Sequence, residues 1–62
     1  MNTQLYVKRR ENRLRQSDLA ERLNIHPQSY HLKETGKQEF TITEGKRLAK
    51  IFNCTLNDLF EG

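Results

Sequence analysis

A chain of 62 residues buries only about 60% of its unfolded surface, which gives one domain over residues 1–62 and a stability of a few kcal/mol. With 34% hydrophobic residues, one cysteine, and no cluster of metal-ligand type, the core has to come from short interlocking helices, without disulfide, metal or cofactor. Lysine and arginine outnumber acids 11 to 8, so the +3 balance favours a polyanion over an acidic protein surface; no apolar run approaches a membrane span or a signal peptide, which fits a reducing cytoplasm.

In chain order, residues 2–12 form the first helix, with Leu5 in the core and Arg9 one turn later on the same face. Lys8, Arg9, Arg10, Arg13 and Arg15 crowd the first quarter, whereas Glu44, Asp58 and Glu61 come late, so charge is polarised along the chain. Asn12 and Arg13 make a polar link, and Leu14 anchors the approach to the second helix. There Leu19, Ala20 and Leu23 recur at helical spacing, with Ala20 small enough to admit a neighbouring helix. Asn24 tolerates left-handed backbone and ends this helix. His26 then supplies a non-helical residue before Pro27, whose missing N–H is harmless at the first helical position.

The third helix runs from Pro27 through Tyr30 and Glu34 until Gly36 stops it. Two short helices around a turn at Asn24 and Ile25 have the geometry of a helix-turn-helix, whose second helix enters the DNA major groove. Tyr30 and Glu34 lie one turn apart and define the inner face, so Pro27, Gln28, His31, Leu32 and Thr35 point away from the core. Pro27, Gln28, His31 and Leu32 are thus the candidate base-contacting residues. Gln28 can pair bidentately with adenine N6 and N7, and Leu32 can cover a thymine methyl. The alternative for Leu32 is packing against Ile25. Lys33 can lay its stem over the core edge and send its ammonium to a phosphate. His26 and His31 are five residues apart, off the register for a shared metal; His26 is placed to touch a phosphate, and His31 flanks the reading face.

Phe40 returns the chain to the core. Thr41-Ile42-Thr43-Glu44 has the form of a capping box opening a fourth helix, whose stripe is Leu48, Ala49, Ile51 and Phe52 and which Asn53 ends. Gly45 inside it hints at a close approach. Thr55 caps a fifth helix with Leu56, Leu59 and Phe60, and Cys54 reads as a packed thiol.

The ordered set Gln16, Leu19, Ala20, Leu23, Ile25, Tyr30, Glu34 and Gly36 resembles the DNA-binding domain of Cro and phage-repressor proteins, the XRE-type family. The likeness extends through Leu14, Phe40, Leu48, Ala49, Phe52 and the closing TLNDLF. It implies an all-α fold, a compact lambda-repressor-like bundle of five short helices with the helix-turn-helix at helices 2 and 3, and double-stranded DNA as partner. It further implies a structural ion pair of Arg9 with Glu34, a phosphate contact from Gln16, and a loop carrying Lys37 along the sugar–phosphate backbone; Arg15, next to Gln16, is a further candidate phosphate contact. Arg15 stands where the family usually has a serine or threonine N-cap, so Ser17 is an alternative cap for a shorter second helix.

No paired acids at helical spacing, glycine-rich phosphate loop or nucleophile–base arrangement suggests an enzyme. The leading reading is a small transcriptional regulator that binds duplex DNA; the alternative is an antirepressor- or antitoxin-like protein-binding module, on account of Leu32, Tyr6 and Val7. Regulators of this type bind as dimers on half-sites one helical turn apart. Leu56, Leu59 and Phe60 either supply a homodimer contact, formed in solution or only on DNA, or close the core of a monomer.

Overall fold

The computed structural model describes residues 1–60, folded as α1 (Thr3–Glu11), α2 (Gln16–Leu23), α3 (Pro27–Glu34), α4 (Ile42–Ile51) and α5 (Leu56–Phe60), with no strand among the described residues. Glu61, counted above among the late acids, and Gly62 lie outside the described residues. Each boundary has a local chemical cause. Asn24 and Asn53 take left-handed backbone, φ 58° and 54°, at the ends of α2 and α4. Thr41 opens α4: its hydroxyl accepts from the Glu44 N–H at 3.0 Å, while the Glu44 carboxylate accepts from the Thr41 N–H at 2.9 Å. Thr55 and Asp58 repeat that exchange at the start of α5, at 3.2 and 2.9 Å.

The start of α2 settles the choice between Arg15 and Ser17. Arg15 is the N-cap, in extended backbone, and α2 begins at Gln16. An arginine side chain cannot accept a hydrogen bond, so half a capping box remains: Asp18 Oδ2 accepts from the Arg15 N–H at 2.8 Å. That bond holds the Asp18 carboxyl below its usual range. The preceding turn carries Arg13 at φ 55°, a left-handed residue in the link that composition alone did not single out.

Every helix contributes to one core: Leu5 from α1, Leu19, Ala20 and Leu23 from α2, Tyr30 from α3, Leu48 and Ala49 from α4, and Leu59 from α5. Leu5, Leu19, Leu48 and Leu59 are fully buried, and truncating such a leucine to alanine costs about 2–5 kcal/mol. The α2–α3 turn is held by the Ile25 N–H donating to the Ala20 carbonyl at 2.9 Å. Phe40 stacks edge-on against Tyr30, centroids 5.8 Å apart, and Phe60 lies 5.7 Å from Phe40, so the loop after α3 and the end of α5 seal the same side. Leu59 and Phe60 therefore serve core closure, while Leu56 stays 37% exposed. Cys54 is half-buried against the core.

Gly45 marks a close approach. A Cβ there would lie 2.9 Å from Leu56 Cδ2 and 3.4 Å from the Phe60 ring, so those side chains of α5 would have to shift to admit one. Gly36, at φ 90°, turns the chain out of α3 while the Gly36 and Lys37 N–H groups donate to the carbonyls of Lys33 and Leu32.

Candidate nucleic-acid interface

The face of α3 is set by what its opposite side buries. Tyr30 and Glu34 are 0% and 1% exposed, and Pro27, Gln28 and His31 from the same eight-residue helix are open to solvent. Leu32 is half-buried, so it offers less surface than Gln28 or His31. Thr35 is turned back on its own helix, its hydroxyl bonded to the carbonyls of His31 and Leu32 at 2.9 and 3.1 Å.

A buried carboxylate holds this face in place. Glu34 accepts from Arg9 Nε at 2.9 Å and Arg9 Nη2 at 3.0 Å, a bidentate pair joining α3 to α1. It also accepts from Tyr30 Oη at 2.5 Å and Gln16 Nε2 at 3.1 Å. The remaining arm of Arg9, Nη1, donates to the Leu14 carbonyl at 3.0 Å. One ion pair thereby ties α1, the entry to α2 and the inner face of α3 into a single unit. Burial opposes the charge on Glu34, but hydrogen bonds from Arg9, Tyr30 and Gln16 outweigh it and hold the carboxyl below its ordinary range. The Glu34 hydrogen bond raises Arg9 further against its own desolvation, and burial with the adjacent carboxylate pushes the Tyr30 phenol up.

The start of α2 is brought alongside this helix. Gln16, half-buried, bonds Glu34 with its amide nitrogen and places its carbonyl oxygen 3.2 Å from His31 Nδ1. Arg15, one residue earlier, leaves 82% of its side chain exposed, with only a long 3.5 Å approach to Asp18. At the other end of α3, His26 is the N-cap, its Nδ1 accepting from the Gln28 N–H at 3.1 Å. Imidazole thus stands in for the usual serine or aspartate oxygen, leaving Nε2 as the outward atom. Lys37 is exposed in the loop following Gly36.

One expectation requires correction. Lys33 does not hold its ammonium free for a phosphate: Nζ lies 2.6 Å from Glu44 Oε1, and the two side chains are only 13% and 14% exposed. Its ammonium also lies over the Phe40 ring, 6.0 Å from the centroid, and the charge pins α3 to the capping box of α4. Burial pushes the Glu44 carboxyl up, but the Lys33 bond and the Thr41 N–H together hold it below its ordinary range. No local pattern announces a pair separated by eleven residues. Sequence reasoning also missed the tie between Gln16 and His31 and the docking of Asn2, whose backbone and side-chain N–H groups donate to the carbonyls of Glu34 and Lys33, both at 2.9 Å.

The exposed face therefore combines hydrogen-bonding side chains on a short rigid helix with cationic side chains at its edges, the composition that base edges and phosphates call for. No match to a curated protein or to a solved structure was found. A family model described as helix-turn-helix matches residues 5–59, all but the ends of the chain. With α2 and α3 joined by the Asn24 turn and packed in a five-helix all-α bundle, the chain belongs to the helix-turn-helix family of Cro and phage-repressor (XRE) type, a family of DNA-binding transcription regulators.

Proposed function

We propose that this protein binds double-stranded DNA in a sequence-specific manner, with α3 lying in the major groove. Pro27, Gln28, His31 and Leu32 face base edges, and Arg15, Gln16, His26 and Lys37 contact the sugar–phosphate backbone. The observation that carries this reading is the division of α3: Tyr30 and Glu34 sealed inside, Gln28 and His31 outside, with Arg15 and Gln16 brought beside them. Gln16 retains one amide hydrogen beyond that given to Glu34, and that hydrogen suits a phosphate oxygen. Gln28, the second residue of α3, is long enough to pair with adenine N6 and N7.

Selection of binding sites from random duplexes tests this directly. A recovered consensus, bound with an affinity that falls with log salt at a slope of about −0.9 per phosphate neutralised, supports the proposal. Recovery of no consensus, together with salt-independent association with a protein, refutes it. The spacing of any two half-sites in that consensus also reports whether two copies bind together.

A further inference from the structure

Hydrogen-bond polarity can be followed outward from Glu34 to the imidazole of His31. The Glu34 carboxylate, held ionised by Arg9, only accepts. Gln16 therefore has to turn its NH₂ group toward Glu34 Oε1, at 3.1 Å; the flipped amide would set one carbonyl oxygen against another oxygen bearing negative charge. This orientation puts Gln16 Oε1 on the far side, 3.2 Å from His31 Nδ1. A carbonyl oxygen only accepts, so Nδ1 has to carry a hydrogen. In the neutral ring Nε2 is then left with a lone pair, on an exposed side chain of the outer face of α3.

His26 is the reverse case. Its Nδ1 accepts from the Gln28 N–H, so its neutral ring carries hydrogen on Nε2. Two histidines, one capping α3 and one on its outer face, thus present opposite hydrogen-bonding characters outward, each fixed by a partner of its own. A lone pair at His31 is repelled by phosphate oxygens, by guanine O6 and N7 and by thymine O4. In the major groove it is complementary only to an exocyclic amino group.

We propose that the Glu34–Gln16 relay holds His31 as the Nδ1–H tautomer, so that Nε2 reads the exocyclic amino group of adenine or cytosine, while His26 offers Nε2–H to a phosphate oxygen. The reading role rests on α3 entering the major groove; the relay itself does not. Position 31 therefore discriminates among bases by accepting, although a histidine flanking a DNA face is open to either role from sequence.

Two measurements test it. In ¹⁵N-resolved imidazole spectra of the free protein at a pH where both rings are neutral, His31 shows a protonated Nδ1 and a bare Nε2, and His26 the opposite. Gln16→Ala returns His31 toward the Nε2–H form while His26 is unchanged. On the selected duplex, each adenine is replaced in turn by purine and each cytosine by pyrimidin-2-one, analogues lacking the exocyclic amino group. One position then weakens the wild-type protein about tenfold and leaves His31→Ala unaffected, in line with one specific base contact. A wild-type His31 protonated on Nε2 overturns the relay. The expected tautomer, with no amino group coupled to His31 on a duplex that is bound, overturns the reading role alone. Absence of any selected duplex defeats the DNA-binding proposal and with it the reading role, and the spectra still decide the relay.

Discussion

Replacing Glu34 by glutamine keeps the shape of the side chain and removes its charge, isolating what the carboxylate contributes. In the native protein Glu34 is 1% exposed and accepts from Arg9 twice, from Tyr30 and from Gln16. Glutamine offers one acceptor oxygen in place of two and turns an NH₂ group toward donors, leaving the Arg9 guanidinium buried beside a neutral partner. Breaking a buried pair from one side costs about 3–5 kcal/mol. For a domain of 62 residues, total stability is about 3–9 kcal/mol, so Glu34→Gln removes a third or more of it. Urea unfolding followed by far-ultraviolet circular dichroism measures this loss, with the midpoint falling by about 3–5 M for a slope near 1 kcal/mol/M. Adding Arg9→Met recovers part of the loss, because no unpaired charge is then buried. A pH series checks the sign. The folded carboxyl is held below its ordinary range, so its contribution is complete above the unfolded value of about 4.3 and is lost as pH falls through the lower folded value. The stability of Glu34→Gln accordingly falls less steeply below about pH 4.3 than that of wild type. A change under 1 kcal/mol at neutral pH, with an unaltered acid limb, would refute the assignment of this pair as the tie between α1 and α3.

Gln28→Ala relaxes base preference at one pair in a site-selection experiment, whereas Lys37→Ala weakens all duplexes alike and reduces the salt slope by about 0.9. The opposite pattern places the reading face elsewhere. Lys33→Met lowers stability by about 1.5 kcal/mol through loss of a charge-assisted bond to Glu44, and leaves the salt slope of DNA binding untouched; a reduced slope returns Lys33 to the phosphate set. Gly36→Ala destabilises by about 1–2 kcal/mol in thermal or urea unfolding, because φ 90° is unfavourable for a residue with a Cβ. Full wild-type stability in that variant means that the turn relaxes to another geometry.

What the sequence made legible was governed by range. The helices and their ends are written in short patterns: Leu19, Ala20 and Leu23 for the stripe of α2, Asn24 and Asn53 for left-handed stops, and Thr41 with Glu44 for the box opening α4. Each needs only neighbours within one or two turns. The inward turn of Tyr30 and Glu34 was readable for the same reason, since one helical turn separates them. Arg9 and Glu34 are 25 residues apart, and only the family resemblance linked them. Lys33 and Glu44, Gln16 and His31, and Asn2 with the end of α3 had no such guide. A free lysine and a paired one look alike until the other chain segment is placed. The candidate phosphate set changed at Lys33 for that reason.

The latch at Asn2 has a consequence for how α3 exists at all. Its first turn is closed by the ring of His26, its last carbonyls by Asn2, and its inner flank by Arg9 and Gln16 from two other helices. Eight residues are too few to hold a helix unaided in water. The outer face of α3 is thus an emergent property of the whole bundle: a peptide copied from His26 to Gln38 would be coil, and grafting Gln28 and His31 alone onto another scaffold would not carry their orientation with them.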